Sequence, residues 1–397
     1  MLEGVHVALG VSGSIAAVKT VELAHELRRQ GANVRAVTTS AAEGIIHPWA
    51  LEYATDNPVV TEITGSVEHV ELCGNDGWAD VLLVAPATAN TVGKMAAAID
   101  DTPVTTLATT ALGSGIPIVI APAMHEPMYD HPGVLDAIDR LESWGIRFVD
   151  PRIEEGKAKI ATQDAIATET ARAAGERPLA GEHVVVTAGA TSEPIDPVRV
   201  ITNRSSGRMG REVAKACYVR GADVTLVHGQ VGPRSFAADP ATPEADDPAY
   251  ADLVSVETAA EMLDAARKAA TDADALVSAA AIGDYTVDPA DEKLRSGQEL
   301  ALDLEPTPKL LDSIREAHPA LPMVGFKVET AGDDEAMTTA ARELRDRVDL
   351  AFVVANDASV MGEIETRALF VDDDVTEVVG SKADVGAAVA DALARTL

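Results

Sequence analysis

A chain of 397 residues that is 47% hydrophobic can bury two separate cores, and it is too apolar for a disordered acidic protein. Its formal net charge of -32, from 64 acidic side chains against ten Lys and 22 Arg, excludes the basic patches that general nucleic-acid binding requires. Two cysteines, Cys73 and Cys217, make neither a disulfide framework nor a metal cluster, and no apolar run approaches the roughly 20 residues of a membrane span. The opening residues, Met1 to Gly10, lack the basic-then-apolar pattern of a secretory leader. A cytoplasmic location is therefore expected, with neither membrane nor nucleic acid as partner. The acidic surface resembles that of salt-adapted proteins, whose self-repulsion high salt screens.

Val5–Leu9 reads as a strand, and Ile15–Arg29 as a helix whose inner face carries Ala16, Val18, Val21, Leu23, Ala24 and Leu27. Val34–Val37, Val81–Val84 and Ile116–Ile120 read as further strands, with Arg147–Val149 a short edge strand. Strands separated by helical stretches pair in parallel through right-handed crossovers. The polar run Ala171–Pro178 ends a helix and forms a linker. A new first strand, His183–Thr187, then opens a second alternating series. Its strands are Asp223–Val227, Ala275–Ala279, Met323–Phe326 and Leu350–Val354, and its helices Gly210–Arg220, Ala259–Ala270, Pro308–Ala317 and Asp334–Arg347. A hairpin of Thr366–Val371 with Thr376–Val379 and a helix Ala383–Leu393 close it, while Gly232–Tyr250 reads as a surface loop. The expectation is an α/β protein of two doubly wound domains, residues 1–177 and 178–397.

Chemistry is concentrated at strand ends. The turn Gly10-Val11-Ser12-Gly13-Ser14-Ile15 invites comparison with a dinucleotide site, but that fingerprint needs G-x-G-x-x-G and an acid after the second strand. Here the spacing differs and the second strand ends in Thr38-Thr39-Ser40. Amides and hydroxyls at a helix start suit a terminal phosphate, although Ser and Thr at such positions are also ordinary helix caps. Ala-Pro-Ala-Thr-Ala-Asn-Thr at 85–91 and Ile-Ala-Pro-Ala-Met-His-Glu-Pro-Met at 120–128 each follow a buried-strand run, where an open α/β sheet has its ligand crevice. His69 falls in the polar stretch Val67–Gly77, which reads as a loop.

With the segments at 13–19, 69–72, 85–91 and 122–129, the first half resembles the flavin-binding cysteine decarboxylase family. That resemblance implies a flavodoxin-like domain binding flavin mononucleotide (FMN) through Gly13, Ser14, Ile15, Thr39, Ser40, Ala87, Thr88, Asn90 and Thr91. It makes His69 the active-site histidine and places Met124 and His125 at the substrate. Bacterial members have Asn where His125 stands, and a clamp cysteine where Pro151–Lys159 has none. The stretch resembles the archaeal branch, and Lys157 or Lys159 is the candidate for contacting the substrate phosphate or supplying the proton. Cys73 reads as a packing residue.

The second half resembles the phosphopantothenate–cysteine ligase family. The resemblance rests on Gly189–Asp196, Thr202–Gly210, Ala280–Tyr285, Glu292-Lys293-Leu294, Gly325–Thr330 and Ala355-Asn356-Asp357, in that order. It implies a ligase domain with a mixed sheet. Asn203 would contact the carbonyl of an acyl-cytidylate, and Lys293 would neutralise developing charge. The nucleotide CTP would be held by Gly189, Ala190, Ser205, Ser206, Asp284, Lys293, Pro308, Lys309, Phe326 and Arg342, with Mg2+ accompanying it. Arg347 is a further candidate.

Together these resemblances imply ligation of 4'-phosphopantothenate to cysteine with CTP, followed by FMN-dependent decarboxylation to 4'-phosphopantetheine in coenzyme A synthesis. A homo-oligomer is implied, trimeric through the flavin domain and dimeric through the ligase domain. The competing readings are a nicotinamide-dependent oxidoreductase of tandem Rossmann type and a catalytically silent flavoprotein regulator.

Overall fold

The computed structural model describes every residue except 155, 230–247, 296, 298, 330–333 and 358–364, and for residues 329, 357 and 365 the backbone alone. It divides into two compact units, Met1–Glu176 and Arg177–Leu397. Among the described residues, no helix is long and apolar enough to cross a membrane.

The first unit contains the strands β1 (His6–Val11), β2 (Asn33–Thr38), β3 (Val81–Ala87), β4 (Ile118–Pro122), β5 (Met124–His125), β6 (Arg147–Phe148), β7 (Arg152–Glu154) and β8 (Lys157–Lys159). The main sheet runs β2-β1-β3-β4-β6 with every pairing parallel, which is flavodoxin-like order. All seven residues of β3 are buried, as helices covering both faces of a parallel sheet require, and this explains its uninterrupted apolar run. Leu72, Val84, Leu107, Ile120 and Leu141 share one core on this sheet.

Helix ends follow local chemistry. Thr102 and Thr105 form a reciprocal capping box, Pro103 starts the helix Pro103–Ser114, and left-handed Gly115 ends it. The segment expected as one helix from Ile15 is instead a 3-10 turn, Ile15–Lys19, followed by the helix Thr20–Arg29. A 3-10 turn completes in three residues and so shifts the inward phase. Ala17, Thr20, Leu23, Ala24 and Leu27 are buried, whereas Val18 is 55% exposed. The short sheet β5-β8-β7 was not expected, because strands of two or three residues carry no readable period.

The second unit begins with β9 (His183–Gly189), the hairpin β10 (Ser192–Asp196) and β11 (Arg199–Thr202), then β12 (Asp223–Gly229), β13 (Asp252–Val256) and β14 (Ala275–Ser278). It continues with β15 (Tyr285–Thr286), β16 (Glu305–Pro306), β17 (Met323–Glu329), β18 (Phe352–Asp357), β19 (Glu365–Val371) and β20 (Val375–Ser381). The large sheet runs β13-β12-β9-β14-β17-β18-β19-β20. Its strands are parallel up to β18, and β19 and β20 add in antiparallel fashion, so the sheet is mixed. Alternation along β9 builds two cores: Val184 and Val186 join Val213 and Leu393 on one face, while Val185 joins Met262 and Ile314 on the other. Residues 232–247 of the expected loop Gly232–Tyr250 lie outside the described residues. Beyond them β13 is an edge strand that sequence reading missed, since four of its five residues are not buried.

Candidate active sites of the two units

In the first sheet the strand order reverses between β1 and β3, and the ligand crevice of such a sheet lies outside the carboxyl ends of those strands. Four loops converge there. The Ser12 hydroxyl donates to the Pro86 carbonyl at 2.8 Å and accepts from the Thr88 amide at 3.0 Å. The Thr39 amide donates to the Val11 carbonyl at 3.1 Å, and the Ser14 hydroxyl donates to the Ala123 carbonyl at 3.1 Å. Gly13, Ser14, Ile15, Thr39, Ser40, Ala87, Thr88, Asn90 and Thr91 therefore stand at the carboxyl edge of three adjacent strands. The Thr39 and Thr88 hydroxyls cap the helices that follow them, accepting from the Ala42 and Thr91 amides at 3.2 Å. The cap reading thus holds for both, and Ser40 and Asn90 in the first turns of those helices are exposed. Ile15 is 78% exposed at the same edge. Amides for a phosphate beside an apolar side chain fit a flavin mononucleotide, with its one phosphate and flat ring.

His69 lies on the short helix Glu68–Cys73, not in a loop, because Val67 takes the left-handed conformation (φ 51°) and turns the chain into that helix. A β-branched residue there is strained by about 1–3 kcal/mol. Glu68 anchors the turn, accepting from the Thr64 amide at 2.8 Å, and the Thr64 hydrogen bonds hold its carboxyl below the usual range. The Nδ1 atom of His69 is buried with no hydrogen-bond partner. Val60 bridges to Val37 in parallel, so the chain reaches this helix from the carboxyl side of β2. No hydrogen bond joins His69 to the Ser12–Thr88 cradle among the described residues.

The small sheet brings the expected substrate residues together. Met124 pairs with Ala158 and His125 with Lys157. Lys159 bonds Glu154 at 2.8 Å, and Glu154 also takes Arg152 at 2.9 Å. The Lys159 hydrogen bond and then the Arg152 charge hold the Glu154 carboxyl below its ordinary range. Lys157 is exposed beside His125 and makes no hydrogen bond or ion pair among the described residues. Glu155 lies outside the described residues. Cys73 is buried, and burial pushes its thiol up to about 12.

In the second unit the order β13-β12-β9-β14-β17-β18 reverses between β9 and β14. Gly189 ends β9 at φ 80°, and Gly207 starts the helix Arg208–Val219 at φ 71°. A Cβ at Gly207 would lie 2.9 Å from the Gly189 backbone, so the two turns touch. Ala190 bridges to Ala281, and the Asn203 amide nitrogen donates to the Ala281 carbonyl at 3.0 Å. The Gly207 amide donates to the Ser205 hydroxyl at 3.3 Å, and Ser206 is exposed. Gly189, Ala190, Asn203, Ser205 and Ser206 thus form one cluster.

Asp284 and Lys309, both expected at the nucleotide, form an ion pair at 2.6 Å. The Thr307 amide donates to the Asp284 carbonyl at 3.0 Å, which brings Pro308 and Lys309 alongside. Phe326 is half-buried on β17. Lys293 is exposed, and its segment is held by Asp196, which accepts from the Leu294 amide at 3.0 Å while Arg199 donates to the Leu294 carbonyl at 3.1 Å. Burial alone would raise the Asp196 carboxyl, but the amides of Val198, Leu294 and Arg199 and the Arg199 charge hold it below its usual range. Sequence reading missed Asp196 as a positioning residue; its signal is the Asp-Pro turn joining β10 and β11.

Arg342 shares no hydrogen bond with this cluster among the described residues. It is exposed on the helix Asp334–Val348, about 12 Å along the axis from the first residue, and is bonded to nothing among the described residues. Arg347 pairs with Asp312. Among the described residues no three His, Cys, Asp or Glu side chains form a metal-holding group.

Two family models match the chain: a flavoprotein family over residues 1–175 and the DNA/pantothenate metabolism flavoprotein C-terminal domain over 179–397. The coenzyme A biosynthesis bifunctional protein of Thermococcus kodakarensis is 47% identical over 374 residues, 93% of this chain and 89% of that one. The protein of the same name from Methanocaldococcus jannaschii is 36% identical over 361 residues, 90% of this chain and 85% of that one. The crystal structure of the DNA/pantothenate metabolism flavoprotein from Streptococcus pneumoniae aligns with a TM-score of 0.48 at 22% identity, covering 55% of this chain and 100% of that one.

Proposed function

The chain belongs to the family of coenzyme A biosynthesis bifunctional proteins, enzymes with a decarboxylase and a ligase activity, and we propose that its two halves divide that work. Residues 178–397 join 4'-phosphopantothenate to cysteine through an acyl-cytidylate made from CTP. Residues 1–177 then decarboxylate the product with FMN to give 4'-phosphopantetheine. The observation that carries this reading is the presence, in each unit, of one loop cluster with helix starts at the strand-order reversal.

In the ligase half, the amides around Gly189 and Gly207 take the nucleotide phosphates, and Asn203, fixed through Ala281, is placed toward the activated carbonyl. Lys293 offsets charge as pyrophosphate leaves, its loop held by Asp196. Asp284 is paired with Lys309, so it takes up the cytosine when Lys309 turns to a phosphate. Mg2+ arrives with the triphosphate as part of the substrate.

In the decarboxylase half, bound FMN would supply a two-electron oxidation of the substrate thiol and return the same two electrons once carbon dioxide has left, so that the decarboxylation is redox-neutral overall. The amides following Gly13, Thr39 and Thr88 hold its phosphate, and Ile15 covers the ring. His69 holds the substrate carboxyl end through its half-buried imidazole. His125 replaces a neutral amide at the carboxylate, and Lys157 beside it takes the substrate phosphate. A cytoplasmic location completes this reading, supported by curated relatives that are coenzyme A biosynthesis proteins. Trp49 and Tyr53, 75% and 79% exposed, support burial against another copy in a homo-oligomer.

Purified protein supplied with 4'-phosphopantothenate, cysteine and CTP should form 4'-phosphopantetheine, and omission of CTP should stop ligation while decarboxylation of supplied phosphopantothenoylcysteine continues. A colourless protein that neither takes up FMN nor releases pyrophosphate from CTP would overturn the assignment.

A further inference from the structure

His228 and Arg211 lie at the second unit's reversal point, yet no resemblance marks them. His228 is the penultimate residue of β12, level with Ala188 of β9. Its side chain is packed against both phosphate-loop glycines. A Cβ on Gly207 would lie 2.7 Å from its Nε2, and one on Gly189 would lie 3.0 Å from its Cε1. Arg211, one turn into the helix that Gly207 starts, donates its Nε to that same Nε2 at 3.1 Å. An acceptor nitrogen here means a neutral ring. Burial first, and then the Arg211 charge, lower the His228 pKa to about 4, so the ring stays an acceptor at neutral pH.

With its Nε so occupied, Arg211 keeps both terminal nitrogens unpaired among the described residues. Their position is chemically telling. β12 is the second strand of this sheet, and in dinucleotide-binding sheets of the same order that strand's end carries an acid for a ribose diol, or a nearby arginine for a phosphate. This chain places an arginine there, steered by a buried histidine.

We propose that Arg211 binds the polyphosphate of the nucleotide substrate and that His228 is the residue positioning it, a reading that rests on the ligase assignment of this half. A fixed guanidinium beside the amides of two touching glycine turns completes a cradle for several negative oxygens. His228 therefore has two tasks: it supports the turns and denies Arg211 other orientations.

The test is steady-state pyrophosphate release by the full chain, varying CTP and 4'-phosphopantothenate separately. Arg211→Gln should raise KM for CTP about ten- to a hundred-fold, the usual worth of a charged hydrogen bond, with kcat changed less than about threefold. Arg211→Lys should recover part of that loss. His228→Leu should raise KM for CTP, and His228→Gln, whose carbonyl can accept from Nε, should restore most of it. A merely structural role for His228 would not give that split between Leu and Gln. FMN-dependent decarboxylation of supplied phosphopantothenoylcysteine and the melting temperature report whether each variant is folded. If His228→Leu does not fold, the two Arg211 variants still decide. An unchanged KM for CTP in folded Arg211→Gln overturns the proposal, and so does a rise confined to KM for 4'-phosphopantothenate. If the unsubstituted chain itself releases no pyrophosphate from CTP, the ligase assignment fails instead and takes this inference with it.

Discussion

Replacing Gly13 by Ala tests the flavin cradle most directly. An added Cβ would lie 2.5 Å from the Ala41 Cβ, 3.1 Å from its carbonyl carbon and 3.3 Å from its Cα. Non-bonded carbons rest about 3.5–4.0 Å apart, so the loops after β1 and β2 must separate by about 1 Å. Neither side has a flexible side chain to yield, since Ala41 presents only a methyl group and backbone. Gly13 does not have positive φ, so the cost is steric, typically about 1–3 kcal/mol for overpacking. Both loops carry the amides proposed to hold the flavin phosphate, so this cost should appear in flavin binding as an affinity about five- to 150-fold weaker. Flavin fluorescence quenching during titration of the deflavinated chain measures it. Gly113→Ala is the control: an added Cβ there meets nothing within 4 Å, and removing a helical glycine should stabilise by about 0.5–1 kcal/mol without touching FMN. Unchanged flavin affinity in Gly13→Ala would refute the reasoning, and a lowered melting temperature with unchanged affinity would move the clash out of the cradle.

Three further outcomes follow from local chemistry. His228 takes up its proton near 6.5 when unfolded and near 4 when folded, so stability is full above pH 6.5 and falls as pH drops toward 4. The loss reaches about 3 kcal/mol and should shrink in His228→Gln, as urea unfolding at pH 7 and 4.5 would show; equal losses in both proteins would contradict it. Cys73 and Cys217, both buried with thiols pushed up to about 12, should resist iodoacetamide at pH 8 in the native chain and react once it is unfolded, and native labelling seen by mass spectrometry would disprove this. Lys157→Ala should raise KM for phosphopantothenoylcysteine about tenfold or more while the melting temperature holds, because the side chain is exposed and unpaired. Lys159→Ala should shift stability by less than about 1 kcal/mol, since Glu154 keeps Arg152, and equal kinetic effects of the two changes would remove the distinction.

Much of this protein is legible in its amino-acid order alone. Val81–Val84 is an unbroken apolar run because its strand is covered on both faces, and Val184, Val185 and Val186 announce a strand serving two cores. The turns at Gly13, Thr39, Thr88 and Gly207 are marked by caps and glycines, whose conformational preferences are properties of single residues. Pairing is different in kind. Nothing local says that His125 faces Lys157, that Asp196 holds the loop of Lys293, or that Lys309 claims Asp284. The helix carrying His69 depends on a left-handed valine that no propensity favours. Burial periodicity is a short-range signal written into neighbouring residues. The partners of charged and polar side chains are set by which distant segments the sheet order brings to the same edge, and only the folded chain decides that.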